Sequence, residues 1–189
     1  MLKRPIWAGF ILTCLMPVVS GAQTTVVPVE VPLTKIRAYF TPGQMVEQAI
    51  SDEIEGARSE IRVQAYSFTN PVIVQALAEA QQRGVDIIVV LDKSHRTQKY
   101  SAADFTSHAG ILTLIDDRHA IAHNKIMIID SKVVITGSYN FTRAAEKSNA
   151  ENIVIIESGP IAEKYLQNWQ KHRNHSQTYS PKDRSKDRP

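Results

Sequence analysis

The sequence predicts an α/β fold, a mixed β-sheet flanked by helices on both faces. Three observations carry that expectation. Strand-like and helix-like segments alternate along the chain, the pattern that lays helices over a partly parallel sheet. Residues 85–91 are almost continuously apolar, as a strand covered on both faces must be. Thr41-Pro42 and Asn70-Pro71 stand before helix-period segments, where Thr or Asn can accept from a free amide and proline suits the first turn.

The elements follow in order. Residues 23–34, with Pro28 and Pro32, read as an extended lead-in. Ile36 to Phe40 is a first strand, and Thr41-Pro42 should open a helix to about Ala57. Residues 61–67 form a strand. Asn70 caps a helix with Val74, Leu77 and Ala78 at helical spacing, closed by Gly84. After the 85–91 strand, residues 92–108 hold a polar loop and a short helix. Ile111 to Ile115 is a strand. Residues 123–130 and 132–136 are β-rich runs joined at Asp130-Ser131, a tight hairpin. Asn152 to Ile156 is a strand and Pro160 to His172 a last helix.

The ends differ from this body. Residues 1–22 read as a secretory signal peptide. Lys3 and Arg4 precede an apolar stretch, and Ser20-Gly21-Ala22 offers a small-residue cleavage site. A periplasmic or secreted protein is expected, without stable membrane association after cleavage. Cys14 is the single cysteine, so the chain after residue 22 has no disulfide and no thiol nucleophile. Residues 175–189 are polar and lack apolar periodicity, and are expected to be a disordered basic tail. One domain, residues 35–174, remains.

The formal net charge is +3. Residues 171–189 hold six basic and two acidic side chains, a net of +4. With Lys3 and Arg4 set aside, residues 23–170 carry −3. This excludes a uniformly basic nucleic-acid-binding surface. Any grip on phosphate must come from local cations and from the tail.

The chemistry concentrates in one string, H-x-K-x4-D-x6-G-S-x-N, from His123 to Asn140. On a strand, His123 and Lys125 share a face, because side chains repeat every second residue. Imidazole can attack phosphorus or transfer a proton, and an ammonium offsets charge on phosphoryl oxygens. Ser138 and Asn140 add a hydroxyl and an amide, and Gly137 allows a close turn. Asp130 lies seven positions after His123, on the opposite face by alternation, and reads as structural. Tyr66-Ser67-Phe68 and His95 are candidates to line the cleft. His119 and His123 have the i,i+4 spacing of a zinc pair, but no third ligand is evident, and neither metal nor other cofactor is expected.

This string resembles the HKD signature of the phospholipase D superfamily, and the chain looks most similar to its small, single-motif Nuc-type bacterial endonucleases. The resemblance runs from about Lys35 to about Trp169 and implies a phospholipase D-like sandwich. It further implies that His123 is a nucleophile forming a phosphohistidine, that Lys125, Ser138 and Asn140 contact the phosphate, and that Glu151 orients the imidazole. Larger members carry two motifs. One motif per chain therefore implies a homodimer with two copies of His123 on its twofold axis. The expected substrate is nucleic acid, DNA and possibly RNA. Two alternatives stay open: a phospholipase or cardiolipin hydrolase using the same site, and a degenerate nucleic-acid-binding module.

Overall fold

The computed structural model describes residues 35–98 and 101–181. The expected signal peptide (1–22), the lead-in (23–34) and residues 182–189 of the expected tail lie outside them.

Eight strands form one sheet: β1 (Lys35–Thr41), β2 (Glu60–Ala65), β3 (Asp86–Asp92), β4 (Leu112–Asp116), β5 (Lys125–Ile129), β6 (Val133–Gly137), β7 (Glu151–Glu157) and β8 (Gln177–Thr178). Their spatial order is β1-β7-β6-β5-β2-β3-β4-β8. β2, β3 and β4 run parallel, and every other pairing is antiparallel. The sheet is mixed, as expected. The helices are α1 (Val46–Gly56), α2 (Pro71–Gln82), α3 (Ala102–His108), α4 (Arg143–Lys147) and α5 (Gly159–His175), with a 3-10 turn at Lys93–Arg96.

Alternation along the strands builds two cores. Ile61, Val63, Ile87, Val89, Met127 and Ile135 pack with Ile50 and Ile54 of α1 and Ile73 and Leu77 of α2. Ile88, Val90, Ile126, Ile128 and Val134 point the other way, onto Ala162 and Trp169 of α5. Helices thus cover both faces. Trp169 fastens α5, being 1% exposed and donating from Nε1 to the Val63 carbonyl at 2.9 Å. Arg62 lies 5.7 Å over its ring.

Local chemistry explains most boundaries. Asn70 caps α2 by accepting from the Val72 amide at 2.9 Å, and Gly84 leaves it at φ +90°, which glycine adopts without strain. Asp130 and Ser131 turn the β5–β6 hairpin with φ of 52° and 53°.

Two expectations are corrected. Thr41-Pro42 does not begin α1, which starts at Val46. Thr41 belongs to β1, where its hydroxyl donates to the Asn149 carbonyl and accepts from the Glu151 amide. The α1 amide at Glu47 is met instead by Glu146 of α4, 2.9 Å away. The tail is also ordered further than expected. α5 continues to His175, β8 pairs with β4, and Tyr179 is buried at 8% exposure. Sequence periodicity could not show this, because a two-residue edge strand has no period.

Candidate active site

The site lies where β2, β3 and β4 end and β5 begins. Register sets Ala65 opposite Lys125 and Asp92 opposite Asp116. The segment after β2 ties the neighbouring loops down. The Tyr66 amide donates to the Asn124 carbonyl, and the Thr69 and Asn70 amides both donate to the Phe141 carbonyl, each at 2.9 Å. Residues 123–124 and 138–141 are thereby brought to one edge.

His123 precedes β5 rather than lying in it. Lys125 is its first residue, and its Nζ is 3.2 Å from both ring nitrogens of His123. It donates to the His123 carbonyl at 2.9 Å. Burial pushes the Lys125 ammonium below the usual lysine range, and the negative charge of Glu151 opposes that shift. The Tyr66 ring completes the cluster, with its centroid 4.5 Å from that of His123 and 5.2 Å from Lys125 Nζ.

The structure places the other expected residues unevenly. Ser138 is near the site edge, and its hydroxyl accepts from the amide and the side chain of Asn152 at 3.1 and 3.3 Å. Asn140 has a buried Oδ1 with no hydrogen-bond partner among the described residues. At Gly137 an added Cβ would lie 2.1 Å from the Asn152 carbonyl oxygen, so close strand approach requires glycine there. Glu151 begins β7. Its carboxylate accepts from Asn149 Nδ2 at 3.1 Å and acts on Lys125 through charge. It does not hydrogen-bond His123 in this arrangement, contrary to the expected orienting contact.

Asp130 is remote from this cluster. Its carboxylate accepts from the backbone amides of Arg58, Ser59 and Glu60 and from the Ser59 hydroxyl, at 2.7–3.0 Å. Burial opposes its ionisation, but these donors hold its carboxyl below the usual range. Of the expected cleft-lining group, Phe68 is fully buried against Phe141. His95 is 1% exposed, bonded to Ser101 Oγ and the Tyr66 carbonyl. Burial pushes its imidazole below the usual histidine range. Neither lines a cleft.

Two features escaped the sequence reading. Asp92, buried at 3% exposure, accepts from the Ala122 amide at 2.8 Å and from the Ser94 amide at 2.9 Å, which fixes the backbone just before His123. And His119 does not pair with His123, because residues 117–124 are not helical. It joins His172, His175 and Asp116 instead. Burial opposes ionisation of Asp116, yet the three imidazoles hold its carboxyl down at about 2. The spacings Asp116-x2-His119 and His172-x2-His175 were visible, but their convergence was not.

Comparison with known proteins decides the family. Residues 50–173 match the family described as cardiolipin synthase, PLD-like domain. The chain belongs to the phospholipase D superfamily. It is 46% identical over 136 residues to a protein of Rickettsia bellii named phospholipase D, covering 72% of this chain and 68% of that one. It is 31% identical over 115 residues to the mitochondrial cardiolipin hydrolase of Mus musculus, covering 61% and 52%. Among solved structures, it resembles a phospholipase D family member, Nuc from Salmonella typhimurium, at a TM-score of 0.75 and 36% identity, covering 78% of this chain and 99% of that one. The sandwich expected from the sequence is therefore the phospholipase D fold, and the His123–Lys125 pair belongs to a superfamily member.

Proposed function

We propose that the chain is a sequence-nonspecific endonuclease that hydrolyses nucleic-acid phosphodiester bonds through a covalent phosphohistidine, in a dimeric active site. The observation that carries this reading is the cluster of His123, Lys125 and Tyr66. An imidazole and an ammonium 3.2 Å apart suit attack on a phosphodiester and neutralisation of its oxygens. The Tyr66 ring beside them is a surface on which a base can stack. The Asn140 side chain supplies a further phosphate contact by donating from Nδ2, and the charge of Glu151 opposes the lowering of the Lys125 pKa.

One His123 nitrogen bonds phosphorus while the bond to the leaving oxygen breaks. The second His123, from the twofold-related copy, gives that oxygen a proton. Water, deprotonated by the second imidazole, then attacks phosphorus and breaks the P–N bond. Two Lys125 side chains supply the positive charge for both steps, so the chemistry needs no metal ion. The reading includes export to the periplasm or the medium.

The relatives named phospholipase D and cardiolipin hydrolase favour lipid as the second reading. Both are tested together by giving chelator-treated protein supercoiled plasmid and cardiolipin vesicles, with His123→Ala alongside. The expected result is plasmid nicking that the variant loses. Lipid turnover without nicking moves the substrate to phospholipid. Activity on neither favours a binding module, and nicking that persists in the variant removes His123 from the mechanism.

A further inference from the structure

The residue cluster around Asp116 is separate from the reading above and independent of the substrate. Asp116 ends β4 with its side chain wholly buried, and His119 follows in the next loop. His172 and His175 occupy the last turn of α5, with side chains 14% and 23% exposed. His172 Nδ1 lies 2.7 Å from Asp116 Oδ2, and His175 Nε2 lies 3.1 Å from Oδ1. His119 Nδ1 is 3.1 and 3.2 Å from the two oxygens. One nitrogen from each ring and a carboxylate oxygen all fall within 4.8 Å of one another.

From this geometry we propose that Asp116, His119, His172 and His175 bind a divalent transition-metal ion, Zn2+ foremost. Three imidazoles with one carboxylate suit a first-row transition ion better than Mg2+ or Ca2+, which prefer all-oxygen shells. Four protein ligands around tetrahedral Zn2+ stand roughly 3.3 Å apart at normal Zn–N and Zn–O lengths. The nitrogen–oxygen separations here, 2.7–3.2 Å, are already near that spacing. Ligand atoms as much as 4.8 Å apart must draw together by roughly 1.5 Å to reach that spacing, and His119, with its side chain 45% exposed, has room to move. Four protein ligands close the shell, which is the pattern of a structural site.

The position tells what such an ion would do. It joins three segments: the end of β4, the loop 117–124, and the end of α5. The same loop carries His123 at its far end, and its backbone is already held by Lys93 donating to the His119 carbonyl at 3.0 Å. Three strand spacings, roughly 14 Å, separate Asp116 on β4 from Lys125 on β5. The ion would therefore fasten the catalytic loop and the C-terminal helix without reaching the reacting atoms. Both apolar cores are built without these four residues, so the apo chain remains folded and metal adds stability.

The test uses the full chain, purified without a histidine tag and stripped with chelator. Zn2+ is titrated by calorimetry, and bound metal is measured by elemental analysis after desalting. The expected result is one Zn2+ per chain and, at a hundredfold excess over Kd, a Tm rise of about 5–10 °C. Co2+ in its place should give the strong visible absorption of a tetrahedral site. His119→Gln, at a half-exposed loop position, should weaken binding at least tenfold, and so should His172→Gln combined with His175→Gln. Failure to take up one equivalent would overturn the proposal and leave a hydrogen-bonded His–carboxylate cluster. Uptake unchanged by these variants, or lost instead in His123→Ala, would overturn it too.

Discussion

Lys125 Nζ stands 3.2 Å from both ring nitrogens of His123 and bonds its carbonyl oxygen. The ammonium and the imidazole are thus held together by a contact between residues two positions apart.

A pH dependence follows. Burial lowers the Lys125 pKa from its usual value, and Glu151 raises it. Activity that needs the ammonium is intact below the folded pKa and falls as pH rises through it, earlier than an exposed lysine would allow. Glu151→Gln removes the supporting charge, so the alkaline limb of the pH–rate profile should move to lower pH. Lys125→Gln should cost about 10²–10³-fold in kcat. An alkaline limb unmoved by Glu151→Gln would refute the electrostatic coupling.

Tyr66 offers a second test, specific to nucleic acid. Loss of a stacking ring costs about 1–3 kcal/mol per base. Tyr66→Ala should therefore raise KM for single-stranded DNA about 5–100-fold, while Tyr66→Phe should restore it. A small soluble phosphodiester lacking a base should show little change. Equal loss on both substrates would mean that the ring only positions His123.

Asp92 touches no reacting group, yet it holds the amide before His123. Asp92→Asn keeps one acceptor oxygen, whereas Asp92→Ala keeps none. The expected order of kcat is wild type, Asn, Ala, with a fall of about 10–100-fold for Ala and KM little altered. Steady-state kinetics on folded variants check it, and an unchanged kcat in Asp92→Ala would remove the positioning role.

Asp130 should matter for stability rather than turnover. It gathers three backbone amides and a hydroxyl, so Asp130→Ala should cost about 2 kcal/mol. Asp130→Asn should cost less, since asparagine tolerates the left-handed φ of 52°. The folded pKa is depressed, so this stability is present above the ordinary carboxylate range and lost as pH falls through the folded value. Urea unfolding at neutral and acidic pH measures both. A wild-type advantage that persisted below the folded pKa would contradict the linkage.

The sequence by itself determined the mixed sheet, the tight turn at Asp130-Ser131 and the meeting of His123 with Lys125. Each depends on short-range rules, namely strand alternation, turn chemistry and a contiguous motif. Asp130 was legible for the same reason, because parity alone turns it away from His123. Thr41 misled, because a capping hydroxyl can equally serve a neighbouring strand, and β7 lies over a hundred residues away. Only the tertiary structure decided that Tyr66 flanks His123, that Asp92 fixes the loop before it, and that His119 meets His172 and His175. Those contacts join residues separated by 30 to 57 positions. Their partners are chosen by strand order and helix docking, which no local pattern encodes.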